Sequence, residues 1–119
     1  MVATTCSDKD DVIVREVGKI KNDGVFRGSE KGVLGQYYKA AQKFEAVMIV
    51  RITSDCPLID PVIVDTMIEI FLERSAENTP VNYVSKNLIK TFPRCLDAEV
   101  FSFEVLEMAF NEAAEFGAY

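Results

Sequence analysis

Asp55 sits in Arg51-Ile52-Thr53-Ser54-Asp55-Cys56-Pro57-Leu58-Ile59-Asp60-Pro61, directly after the apolar run Ala46-Val47-Met48-Ile49-Val50. A carboxylate just past the end of a buried strand can hold a hard cation such as Mg²⁺ beside phosphate oxygens. The same residue can instead shape a turn, and residue type alone leaves the two readings balanced. Pro57 already sets a bend there, so an acid is less obviously structural. Asp60 is different. An acceptor followed by proline, ahead of an apolar helical pattern, is predicted to be a helix cap. Asp55 is therefore the candidate catalytic and metal-binding residue.

Other candidates cluster where further strands should end. Arg27 closes the short run Val25-Phe26-Arg27; its guanidinium can fork onto phosphate or a base edge, or form a surface ion pair. Gly28-Ser29-Glu30-Lys31-Gly32-Val33-Leu34-Gly35 matches neither G-x-x-x-x-G-K-[ST] nor G-x-G-x-x-G, so it reads as the start of a helix. Asp97 and Glu99, two apart on a strand, share a face. They could bind a sugar hydroxyl or a metal, or simply border a solvated sheet edge.

The 119 residues contain no histidine, which removes Ser-His-Asp, Cys-His and imidazole acid/base chemistry. Cys6, Cys56 and Cys95 are far apart and form no C-x-x-C pair, so they read as reduced thiols, Cys56 inert among them. With 13 basic and 19 acidic residues the net charge is −6, which disfavours nucleic-acid backbone as a partner. No apolar run reaches membrane-spanning length and no signal pattern opens the chain, so a soluble cytoplasmic protein is expected.

These candidates need elements to position them. Val2-Ala3-Thr4-Thr5 reads as a strand, and Asp8 to Asp11 offer helix caps before Val12, Ile13, Val17 and Ile20 at helical spacing. After the strand at Val25, a helix should carry Val33, Leu34, Tyr37, Tyr38, Ala41 and Phe44. The run from Ala46 to Ile52 reads as a strand covered on both faces. A helix follows from Pro61 to near Arg74, then strands at Pro80–Val84 and Leu96–Phe101, and a helix capped by Ser102. The alternation predicts one α/β domain over 1–119 with a doubly wound, mostly parallel sheet, whose ligands bind beyond the carboxyl ends of its strands.

The Val50 to Pro61 block resembles the cytidylyltransferase-like family of spore coat polysaccharide biosynthesis F-type proteins, relatives of the enzymes that activate acidic sugars with CTP, such as the CMP-KDO and CMP-sialate synthetases. The likeness extends over Val2–Thr5, Val25–Glu30, Tyr37–Ala41, Asn82–Ser85 and Phe92–Phe103. It implies a nucleotide-diphospho-sugar transferase (Rossmann-like) fold and transfer of a cytidylyl group from CTP to a sugar, with release of pyrophosphate. Asp55 falls on the family's magnesium-binding aspartate. Thr4, Thr5, Arg27 and Ser29 fall on segments near the nucleotide, and Asp97 and Glu99 on the sugar side. CTP, a small sugar, Mg²⁺ and a homodimer partner are the expected companions.

This sequence departs from that pattern in four ways. It opens at what resembles the family's second strand, without the Gly- and Arg/Lys-containing phosphate loop, and it stops before the family's C-terminal portion. Gly35-Gln36 replaces a usually charged pair, and Cys95 stands where glycine is usual. Little or no transferase activity is therefore expected of these 119 residues alone. A non-catalytic sugar- or nucleotide-binding or subunit-pairing module, and a glycosyltransferase using a nucleotide sugar, are the competing expectations.

Overall fold

The computed structural model describes residues 1–20, 24–76, 81–85 and 97–115. In chain order these form β1 (Val2–Thr5), a 3₁₀ turn (Asp8–Asp10), α1 (Asp11–Val17), β2 (Val25–Gly28), α2 (Val33–Lys43) and β3 (Met48–Ile52). Then come α3 (Pro61–Ser75), β4 (Tyr83–Ser85), β5 (Ala98–Ser102) and α4 (Phe103–Glu115). The chain divides into two compact units: Met1–Ala46 with the chain from Leu106 onward, and Val47–Val105.

In the first unit β1 and β2 pair in parallel, Thr4 opposite Arg27 and Thr5 opposite Gly28. Parallel partners require a crossover, supplied by α1. Helix α2 lies against this pair and buries Ala40 and Ala41. Its start needs a glycine: Gly32 has φ 143°, a backbone conformation that side-chain-bearing residues rarely adopt. At its other end Glu45 occupies the left-handed region at φ 51°. Tyr38 stacks on Phe110 of α4 with ring centroids 4.2 Å apart.

The second unit holds a three-stranded sheet in the order β3-β5-β4. Both outer strands run antiparallel to β5, so β3 and β4 are parallel to each other and α3 is their crossover. Within each unit the strands that a helix links thus run in the same sense, β1 with β2 and β3 with β4, as predicted. The antiparallel central strand is the addition: β5 enters between the two halves of a β-α-β unit. The sequence reading of β3 as a strand inside a parallel sheet is corrected by this pairing. Its residues are half-buried, and Ile52 is exposed.

Period-2 alternation divides this sheet into two faces. Ala98 and Val100 of β5 join Met67 and Phe71 of α3 in a buried core, flanked by Met48, Val50 and Val84. Burying a side chain such as Phe71 or Val100 contributes about 1.5–3 kcal/mol. Asp60 caps α3 by accepting from the Val62 N–H at 2.9 Å, with Pro61 at the first helical position. The predicted cap is present.

Several predicted boundaries move. Helix α1 buries only Val17 of its predicted apolar face; Val12 and Ile13 are exposed, and Ile20 lies beyond the helix end. Val33 and Phe44, at the two ends of α2, are also exposed. Among the predicted elements, Pro80 and the segment 86–96, including Cys95, lie outside the described residues.

Candidate active site

The end of β1 in the first unit is organised around a carboxylate. Thr4 Oγ1, the Thr5 N–H and Thr5 Oγ1 all donate to Asp10 Oδ2, at 2.8, 2.9 and 2.5 Å. These hydrogen bonds favour the ionised form, so the Asp10 carboxyl sits below the ordinary 3.8. Arg27 reaches the same turn from β2. Its Nε donates to the Thr5 carbonyl at 2.9 Å, one terminal nitrogen to the Ser7 carbonyl at 2.8 Å, and the other pairs with Asp11 at 2.7 Å. Thr4, Thr5 and Arg27 are therefore brought together, with these groups engaged inside the turn.

Ser29 follows β2 and is exposed. Its hydroxyl accepts from the Lys31 N–H and its carbonyl from the Gln36 side chain. Together with Phe26, Arg27, Lys31, Lys39 and Phe110 it lines a cleft of about 330 Å³. Among the described residues, three cations and no acid line this cleft, a local reversal of the negative whole chain.

In the second unit, Asp55 is exposed in the turn after β3. Thr53 Oγ1 donates to Asp55 Oδ1, and the buried Cys56 thiol lies 3.9 Å from the same oxygen. The Thr53 hydrogen bond, then a backbone N–H, with the Arg51 charge as a smaller effect, hold the Asp55 carboxyl below its ordinary 3.8. It is ionised at neutral pH, as a metal ligand must be. Among the described residues no three His, Cys, Asp or Glu side chains gather to hold an ion. One carboxylate suits Mg²⁺ only where phosphate oxygens and water complete its shell.

Glu99 lies on the sheet face opposite α3, beside Arg51 of β3 and Ser85 of β4. Its Oε2 accepts from Arg51 at 2.5 Å and its Oε1 from the Tyr83 hydroxyl at 2.9 Å. Asp97 is exposed just before β5, so the two acids share a segment but only Glu99 stands in the sheet. Asp10, Arg51, Tyr83 and Lys39 are the participants that sequence reasoning missed. Arg51 and Tyr83 become visible only once β5 is paired antiparallel with β3 and β4.

No family model matches the chain. It is 40% identical over 116 residues to the uncharacterized protein MJ1063 of Methanocaldococcus jannaschii, covering 97% of this chain and 44% of that protein. It is 34% identical over 80 residues to the spore coat polysaccharide biosynthesis protein SpsF of Bacillus subtilis, covering 66% of this chain and 32% of that protein. The solved structure of a cytidylyltransferase from Leptospira borgpetersenii superposes with a TM-score of 0.84 at 34% identity, over 92% of this chain and 44% of that one. The chain spans less than half the length of each of these three proteins. With a cytidylyltransferase fold over nearly all of its length and a spore coat biosynthesis relative in sequence, the chain is similar to the cytidylyltransferase-like family over the part of those proteins that it spans.

Proposed function

We propose that this chain binds CTP together with Mg²⁺ and serves the transfer of its cytidylyl group to a sugar in the making of surface polysaccharide. One observation carries the reading: Asp55 is an ionised, exposed carboxylate at the end of β3, in a chain that shares the fold of a solved cytidylyltransferase at 34% identity. In the reaction a sugar oxygen attacks the α-phosphorus, forming a new P–O bond. The bond to the β-phosphate breaks and pyrophosphate leaves. Asp55 would hold Mg²⁺, which would supply neutralising charge for the leaving phosphates. Within the first unit, Thr4, Thr5, Arg27 and Ser29 are the nucleotide-binding candidates, Arg27 by fixing the turn and Ser29 by bordering the cationic cleft. Glu99 and Asp97 serve the sugar.

Turnover by these residues alone is low in this reading. The net charge is −6, and three Arg27 nitrogens are already bound within the protein, which leaves less cationic grip for a triphosphate. The chain acts in the cytoplasm, where CTP is made, and as a homodimer, which sedimentation would check. The decisive experiment is retention of labelled CTP with Mg²⁺ and with EDTA, followed by pyrophosphate release with candidate sugars. Retention that requires Mg²⁺, with slow release, supports the proposal; absent or EDTA-insensitive retention contradicts it.

A further inference from the structure

We infer that the face of the β3-β5-β4 sheet opposite α3 receives an uncharged, polyhydroxylated ring, with Tyr83 as its platform, Glu99 as its hydroxyl acceptor and Arg51 as the residue that positions Glu99. The acceptor is then a neutral sugar and not a sugar acid. This deepens the cytidylyltransferase reading and rests on it for the identity of the reaction.

Three observations support the assignment. Tyr83 stacks on Phe101 at 6.1 Å between ring centroids and 20° between planes, yet remains 44% exposed. Phe101 thus covers part of the ring, and the exposed remainder can take the C–H-rich side of a sugar, which suits the negative π face. Second, Glu99 is held at both oxygens, by Tyr83 and by Arg51. Its side chain is only 18% exposed, so the carboxylate is fixed in orientation. Each of its oxygens keeps a second acceptor direction that a sugar hydroxyl can fill.

The third observation is charge. The Arg51 guanidinium is paired with Glu99, and Asp97 before β5 and Asp55 and Asp60 after β3 add further acids at this end of the unit. A sugar carboxylate arriving here would meet fixed carboxylates and an arginine already neutralised. Hydroxyl groups meet no such repulsion and supply the donors that Glu99 lacks. A site built around bound polar groups discriminates strongly against a ligand that cannot satisfy them.

Saturation-transfer NMR on the full chain tests this, using glucose and N-acetylglucosamine as neutral probes and N-acetylneuraminate as the acid, with and without CMP and Mg²⁺. The neutral sugars should receive saturation at least threefold more strongly than the acid. Tyr83→Phe, which keeps the ring and removes the hydroxyl, should weaken that response at least threefold, and Tyr83→Ala should abolish it. Glu99→Gln should raise the response to the acid, a change that a merely structural Glu99 would not produce. Preferential binding of the acid, a neutral-sugar response unchanged in Tyr83→Ala, or no sugar response in either condition would overturn the inference. CTP retention is measured without sugar, so its failure would count against the nucleotide reading and leave the sugar platform standing.

Discussion

Two acids five positions apart in the loop after β3 are treated differently by their neighbours. Asp60 commits an oxygen to the Val62 N–H, whereas Asp55 is held by Thr53 and remains exposed. Asp60→Ala should therefore cost about 1 kcal/mol in urea unfolding and leave nucleotide retention intact. Thr53→Val removes the main group holding the Asp55 carboxyl low, so its pKa should rise toward 3.8. On acidification, Mg²⁺-dependent CTP retention should then fail at a higher pH in the variant than in the parent. Asp10 tests the same physics through stability. Its folded-state pKa lies below 3.8, so its contribution is present above the unfolded value and disappears as pH falls through the lower folded one. Thermal unfolding should find Asp10→Asn less stable than the parent at neutral pH, with the gap closing in acid.

At the scale of elements, local pattern was a good guide where one rule acted alone. Asp60-Pro61 marked the start of α3, and the Val2, Val25 and Met48 strands all formed. Pattern failed where tertiary pairing decided. An apolar run like Ala46–Ile52 does not say whether its partner is parallel, and β5 in fact runs antiparallel between β3 and β4. That pairing sets Arg51 opposite Glu99, a relation that no local spacing displays. The apolar spacing of α1 overstated burial for a related reason, because a helix seven residues long covers little of the sheet. The end of α2 offers a direct check. Glu45 at φ 51° bears a left-handed conformation costing about 1–2 kcal/mol, part of which glycine returns as lost backbone entropy. Glu45→Gly should stabilise the protein by roughly 0.5–1 kcal/mol in denaturant unfolding.

For the molecule as a whole, charge and topology decide what it can do. The chain carries −6, so a polyphosphate should bind only when a metal offsets the repulsion. Among the described residues, no helix is long and apolar enough to cross a membrane. The candidate residues were legible in sequence as separate strand ends. Their partners, Asp10 for Thr4 and Thr5 and Tyr83 for Glu99, were not, since hydrogen bonds between elements leave no periodic mark. Calorimetric titration of CTP in Mg²⁺ against the parent chain and Asp55→Asn tests the central claim most directly. The parent should bind, with affinity lost in EDTA, and the variant's affinity should fall at least tenfold. Equal binding by Asp55→Asn, or binding indifferent to Mg²⁺, would contradict the role assigned to the Asp55 loop.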